Sequence, residues 1–165
     1  MYLLPDLLRH NAWANATVVE SFRSKPEALD VVCYDGDPLL SRLQHMVGTE
    51  RAFLDVLRGS PALPEPPSDL EGLIAYDRET GAGLLSAAMT SGEGGQEQPY
   101  FVPWWQASMP MHVLVSQVIG HSAQHRAELA WELARAEVNT GEIDYIGWVA
   151  GGQPEPGGAL RFQDD

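Results

Sequence analysis

A chain of 165 residues with 44% hydrophobic content fits one domain with a substantial core and argues against global disorder. Ten lysines and arginines face 23 acids, a formal net charge of −13. Such a surface repels phosphate backbones and anionic headgroups, which excludes nucleic-acid and membrane partners as working readings. The single Cys33 leaves no intramolecular disulfide and no multi-cysteine zinc site. Its neighbours Val31, Val32 and Tyr34 suggest a buried or half-buried thiol. The start, Met1-Tyr2-Leu3-Leu4-Pro5-Asp6 with Arg9 and His10 soon after, does not read as a signal peptide. No stretch reaches the roughly 20 apolar residues of a membrane span, so the expected location is the cytoplasm.

Four long helices are predicted. The first covers about Leu3 to Phe22, with Leu4, Leu7, Leu8, Val18, Val19 and Phe22 at helical spacing. Asn11 and Asn15 fall on that apolar face, and Trp13 falls on the opposite side. The second covers about Pro38 to Arg58, with Asp37-Pro38 as its start signal and Gly59 as its stop. The linker Gly59 to Pro67 holds four prolines and cannot be helical. Ser68-Asp69-Leu70-Glu71 reads as a capping box opening a third helix that continues to about Met89. Asp77 and Gly81 share its apolar stripe, so the aspartate is either a buried hydrogen-bonding group or an interface contact.

Residues Thr90 to Ser108 are irregular. Ser91 to Gly95 reads as flexible, and Gln98 to Gln106 as a short extended segment rich in aromatic residues. The last long helix runs from about Pro110 to Ala136 and is apolar around much of its circumference, which makes it central. Glu142 to Ala150 suggests a short docked turn. Gly151 to Asp165 reads as a flexible acidic tail after a single domain of residues 1–150. The fold class expected is all-α: a four-helix bundle with long crossover connections and a short extended segment before the last long helix.

The histidines carry the chemistry. His121 and His125 are one turn apart and about 40° around the helix, on a stripe with Leu114, Val118 and Leu129. Two imidazoles on an apolar stripe need partners. Either neighbours hydrogen-bond them or a metal ion takes both. Ser122 stands where a zinc-protease helix needs glutamate, and no histidine has glutamate three residues before it, which excludes zinc-protease and di-iron carboxylate sites. A mononuclear site with a further histidine remains. Among His10, His45 and His112, the best placed is His45, beside the small residues Gly48, Thr49 and Ala52, which leave room for a pocket. A plain packing role is its alternative.

Three blocks then stand in order: His10-Asn11-Ala12-Trp13-Ala14-Asn15, Leu43-Gln44-His45-Met46-Val47-Gly48-Thr49-Glu50-Arg51-Ala52-Phe53-Leu54, and Ile119-Gly120-His121-Ser122-Ala123-Gln124-His125-Arg126-Ala127-Glu128-Leu129. Together, and with Asp144-Tyr145-Ile146, they resemble the DinB-like family of four-helix-bundle metalloproteins over roughly residues 7 to 149. Ala127 departs from the glycine the family often carries after His-Arg. The resemblance implies a three-histidine site for one divalent ion, nickel or zinc, with His45, His121 and His125 as ligands. It implies an open coordination position and, as one activity, a transferase acting with a small cofactor thiol of the bacillithiol or mycothiol type, or a related hydrolase. A non-catalytic metal-binding bundle with a stress-response role is the alternative.

Other roles follow from position. Asn15 faces inward and either lines the pocket or bonds to backbone. Glu50 and Arg126 are predicted to form a buried ion pair. Gln124 and Glu128 flank the ligands and are candidates to support them from behind. The expected partners are a small-molecule substrate and a second copy of the chain, since Trp13 on the outer side of helix one suggests packing onto another subunit.

Overall fold

The computed structural model describes residues 3–33, 36–60 and 63–161. Tyr34 and the last four residues of the tail lie outside these. Four long helices form the bundle: α1 (Leu3–Ser21), α2 (Leu39–Leu57), α3 (Leu70–Thr90) and α5 (Met111–Arg135). Short helices α4 (Gly92–Gly95) and α6 (Tyr145–Ala150) flank α5 in sequence. The expected extended segment is half of an antiparallel hairpin, β1 (Pro99–Val102) with β2 (Ala107–Pro110), in which Pro99 faces Pro110. The Ser91–Gly95 segment, expected to be irregular, forms the helical turn α4.

Helix boundaries fall close to expectation, but two caps differ. The N-cap of α3 is Asp69, whose side chain accepts a 2.8 Å hydrogen bond from the Gly72 amide. Ser68 does not cap it, and Glu71 turns outward to Arg23 at 2.6 Å. A cap of this type is worth about 1 kcal/mol. Helix α2 has Pro38 at its N-cap with no side-chain cap, rather than Asp37. Gly59 ends α2 as expected, with φ at +72°.

Two apolar clusters fill the bundle, and all four long helices contribute to both. One holds Val18, Val19, Leu43, Met46, Leu73, Ile74, Leu129 and Leu133. The other holds Leu8, Phe53, Leu54, Leu84, Leu114, Val115 and Val118. The order in which each helix visits the clusters gives its direction: α1 and α5 run one way, α2 and α3 the other. Helix α1 packs on α3 and α5, and α2 packs on α3 and α5, so α1 and α2 sit diagonally.

Because α2 and α3 are parallel, residues 58–69 must travel back along the bundle. Helix α2 has 19 residues, about 28 Å. Twelve residues span only about 18 Å as helix but about 40 Å extended. Pro64, Pro66 and Pro67 keep their part of the segment out of a helix. Pro66 passes over α2 at Gly48, where a Cβ would meet Pro66 Cγ at 2.7 Å.

Between the apolar clusters, at mid-height, lies a polar centre drawn from all four helices. The Asn11 and Asn15 amides donate to Glu50 Oε1 at 2.7 and 2.8 Å, and the Ser122 hydroxyl donates to the same oxygen. Arg126 donates to the Asn11 and Asn15 carbonyl oxygens. The ion pair expected between Glu50 and Arg126 is therefore relayed: the asparagine amides stand between the two side chains, donating to one and accepting from the other. Burial of these residues is nearly complete. Asp77 of α3 belongs here and is buried rather than at an interface. Burial and the nearby Glu50 push its carboxyl well above the usual range, against the pull of an Asn15 hydrogen bond and Arg126.

Trp13 is also placed differently from expectation. It is 2% exposed, and its indole N–H donates to the Gly158 carbonyl at 2.9 Å. It clusters with Ala14 and Trp148, so the chain's own α6 and C-terminal segment cover that side of α1. Residues 151–161 are thus laid back on the bundle, with Trp148 Nε1 donating to Pro154 O and Arg161 N to Gly151 O.

Candidate metal centre

The polar centre fixes α2 against α5 at one level. Glu50 lies five residues after His45, and Ser122 and Arg126 each follow a histidine. With Ser122 and Arg126 turned into the core, His121 and His125 turn about 100° away, toward α2. His45 meets them there. The imidazole centroids of His45 and His121 are 5.0 Å apart, those of His45 and His125 also 5.0 Å, and those of His121 and His125 4.4 Å. One ligand atom from each lies within 4.8 Å of the others.

These residues fit a divalent ion. Nε2 of His45 and Nε2 of His121 are 3.1 Å apart. Nitrogens about 2.0 Å from a tetrahedral ion are separated by about 3.3 Å. Imidazole must also be neutral to ligate, and both rings are biased that way. Burial, then the proximity of His125 and His45, lowers His121 to about 4. Burial lowers His45 as well, helped by His125 and Arg42.

A carboxylate stands behind one ligand. Glu128 Oε2 is 2.9 Å from His125 Nδ1. A carboxylate only accepts, so Nδ1 carries the proton and Nε2 keeps its lone pair for the ion. Arg42 of α2 pairs with the same oxygen, and Gln124 donates to Oε1 at 3.2 Å. Partial burial would raise the Glu128 carboxyl, but hydrogen bonds from Gln124, His125 and Arg42 prevail and hold it below the usual range. Of the two residues expected behind the ligands, Glu128 meets His125 directly and Gln124 reaches Glu128. Arg42 was not anticipated. Its signal was available: it sits three residues before His45, on the turn facing α5. His121 Nδ1 is buried without a hydrogen-bond partner, so the polar contact of that ring is the one its Nε2 makes with His45.

Asn15 and Glu50 do not line the site; they lie in the polar centre behind it. Two histidines stand apart. His10 Nε2 contacts the Ile143 carbonyl at 3.0 Å within a ring of Trp13, Tyr145 and Trp148. His112 Nδ1 faces the Gln96 carbonyl at 3.2 Å.

A cleft of about 960 Å³ opens from His45 and His121. Gly48, Thr49 and Ala52 form part of its lining, as their size led one to expect. The proline linker makes one wall, and Trp104 and Trp105 contribute to another. Among the described residues, the cluster close enough to hold an ion comprises the three histidines alone. No family model and no curated protein matches this chain.

Proposed function

We propose that the protein is an enzyme using one divalent ion, zinc or nickel, held by His45, His121 and His125. The observation that carries this reading is the open approach: of three histidines with ligand atoms within 4.8 Å of one another, His45 and His121 line a cleft large enough for a small molecule. A structural site closes with four protein ligands, whereas a catalytic one keeps a position free. When bound, the ion would supply Lewis acidity, lowering the pKa of a water or a thiol. Glu128 fixes the tautomer of His125, and Arg42 fixes Glu128. The polar centre keeps α2 and α5 at the separation the ligands need.

Within that reading, a transferase acting with a small cofactor thiol is the finer proposal, and a hydrolase the runner-up. Both rest on the three sequence blocks that resemble the DinB-like family. In the transferase reaction the thiol would give its proton to solvent, and a sulfur–carbon bond would form at the electrophile as the bond from that carbon to the leaving group breaks, the leaving group taking the electron pair. Thiol consumption with electrophilic substrates, measured with and without added zinc or nickel, tests it. Metal-dependent turnover lost in His121→Ala is the expected result, and no turnover with either ion overturns it. A homodimer belongs to the same proposal. Exposed apolar side chains that could serve it include Trp131 at 69% and Ile146 at 79%, and light scattering measures it.

A further inference from the structure

The cleft beside the histidines has a composition the metal reading does not use. Trp104 and Trp105 are 37% and 46% exposed, although each has a large apolar face. They rest on Phe53, with Phe53–Trp104 centroids at 5.5 Å and 85° and Phe53–Trp105 centroids at 5.8 Å and 55°. The two indoles are 6.1 Å apart at 64°. Rings this close pack edge to face and leave no space between them for a guest. They form a wall whose outer faces are available. The linker that shares the cleft is apolar and stiff, with Pro64, Pro66, Pro67 and Leu63, the last 75% exposed. Proline fixes its own φ, so this wall is preformed.

Charge sharpens the picture. Among the described residues lining the cleft there is no lysine or arginine, and the one acid is Glu65. The remaining polar lining beyond the histidines is uncharged: Ser41, Gln44, Thr49, Ser68 and Gln117. Gln44 is engaged already, donating to the Pro67 carbonyl at 2.9 Å. The whole chain carries −13. An anionic group in the body of a ligand would meet a negative field with no counter-ion there. A flat uncharged or cationic ring would gain stacking and apolar burial.

We infer that the cleft selects a ligand with a flat, non-anionic body stacked on Trp104 and Trp105, whose sole anionic group is the one presented to the histidine site. This names the substrate class for the proposed enzyme and rests on that reading only for the metal end. It disfavours cosubstrates with free carboxylates in their bodies.

A matched pair of fluorescent probes tests it on the metal-free protein, where no ion pairs with an anion: N-phenyl-1-naphthylamine, which is uncharged, and 8-anilino-1-naphthalenesulfonate, the same ring system with a sulfonate peri to the linking nitrogen, in the body of the molecule. The expected result is about tenfold tighter binding of the uncharged probe, in keeping with surface potentials of several kT. Trp104→Ala combined with Trp105→Ala weakens it severalfold. Glu65→Lys, at an exposed linker position, narrows the ratio between the probes by improving sulfonate binding. That change reads charge apart from the probes' different hydrophobicity, and it does not depend on the tryptophan variant folding. Equal or tighter binding of the sulfonate by the natural chain overturns the inference, as does a ratio that Glu65→Lys leaves unmoved. Probe binding needs no metal. A protein that discriminates the probes yet turns over no thiol loses the proposed activity and keeps this inference. Metal-dependent turnover in a protein that does not discriminate has the opposite meaning.

Discussion

Two polar regions sit at the same height in this bundle, and they are built on opposite terms. The centre formed by Asn11, Asn15, Glu50, Asp77, Ser122 and Arg126 is sealed, and most of its donors find acceptors within it. The site formed by His45, His121 and His125 is one residue away along α5, yet it borders a cleft and leaves ring nitrogens facing one another. The closed region holds helices together. The open one has donor atoms to offer a ligand. A polar residue in a core is therefore not informative until its partners are counted. The same chemistry serves cohesion where partners are internal and binding where they are not.

The comparison predicts unequal responses to mutation. Arg126→Met should cost the most, about 3–5 kcal/mol, because it leaves Glu50 buried without its relayed cation. Urea denaturation of the metal-free protein measures this. The matching change in the open region, His121→Ala, should cost far less metal-free stability, since Nδ1 has no partner to lose and Nε2 meets only the exposed His45. A large loss there would break the distinction between the two regions.

Zinc or nickel should raise the melting temperature of the natural chain, corresponding to about 2.7 kcal/mol when the free ion is at 100 times its Kd. His121→Ala should abolish the rise, while His10→Ala and His112→Ala keep it. Glu128→Gln should weaken metal affinity about 10- to 100-fold without unfolding the protein, because the His125 tautomer loses its anchor. Competition with a chelating dye reads that shift.

Acid should act on the metal-free protein through the lowered histidines. The unfolded chain takes up a proton at His121 near pH 6.5, the folded chain only near 4. Stability is therefore full above pH 6.5 and falls as the pH drops through that window. His45 adds in the same direction. Denaturation midpoints across pH 4–7 should slope less in His121→Ala. Trp13→Phe should cost about 1 kcal/mol for the hydrogen bond to Gly158, read by the same urea denaturation.

Helical periodicity made the four helices legible, and the i, i+4 spacing of His121 and His125 made the site legible. Small neighbours set His45 above His10 and His112 by signalling open space, but its place among the ligands leaned on the resemblance of the three sequence blocks. What stayed hidden was pairing across helices. Spacing places Glu50 and Arg126 on inward faces, but it does not reveal that two asparagines one turn apart fit between them. Nor does it reveal that Arg42 reaches Glu128. Trp13 looked outward because a helix wheel assumes solvent on the far side, whereas α6 and residues 151–161 occupy it. An acidic, glycine- and proline-rich segment gives no periodic hint of where it docks.

The extended linker between α2 and α3 has a consequence for how such a protein can diversify. Folding rests on the four helices, and the metal ligands on two of them. The cleft walls rest largely on connections: the proline segment and the turn that carries Trp104 and Trp105. Replacements in those connections can alter what is admitted while leaving untouched both the scaffold and the histidines. Ligand choice is in this sense a separable module, and a set of linker and hairpin exchanges on one bundle would be expected to change selectivity faster than stability.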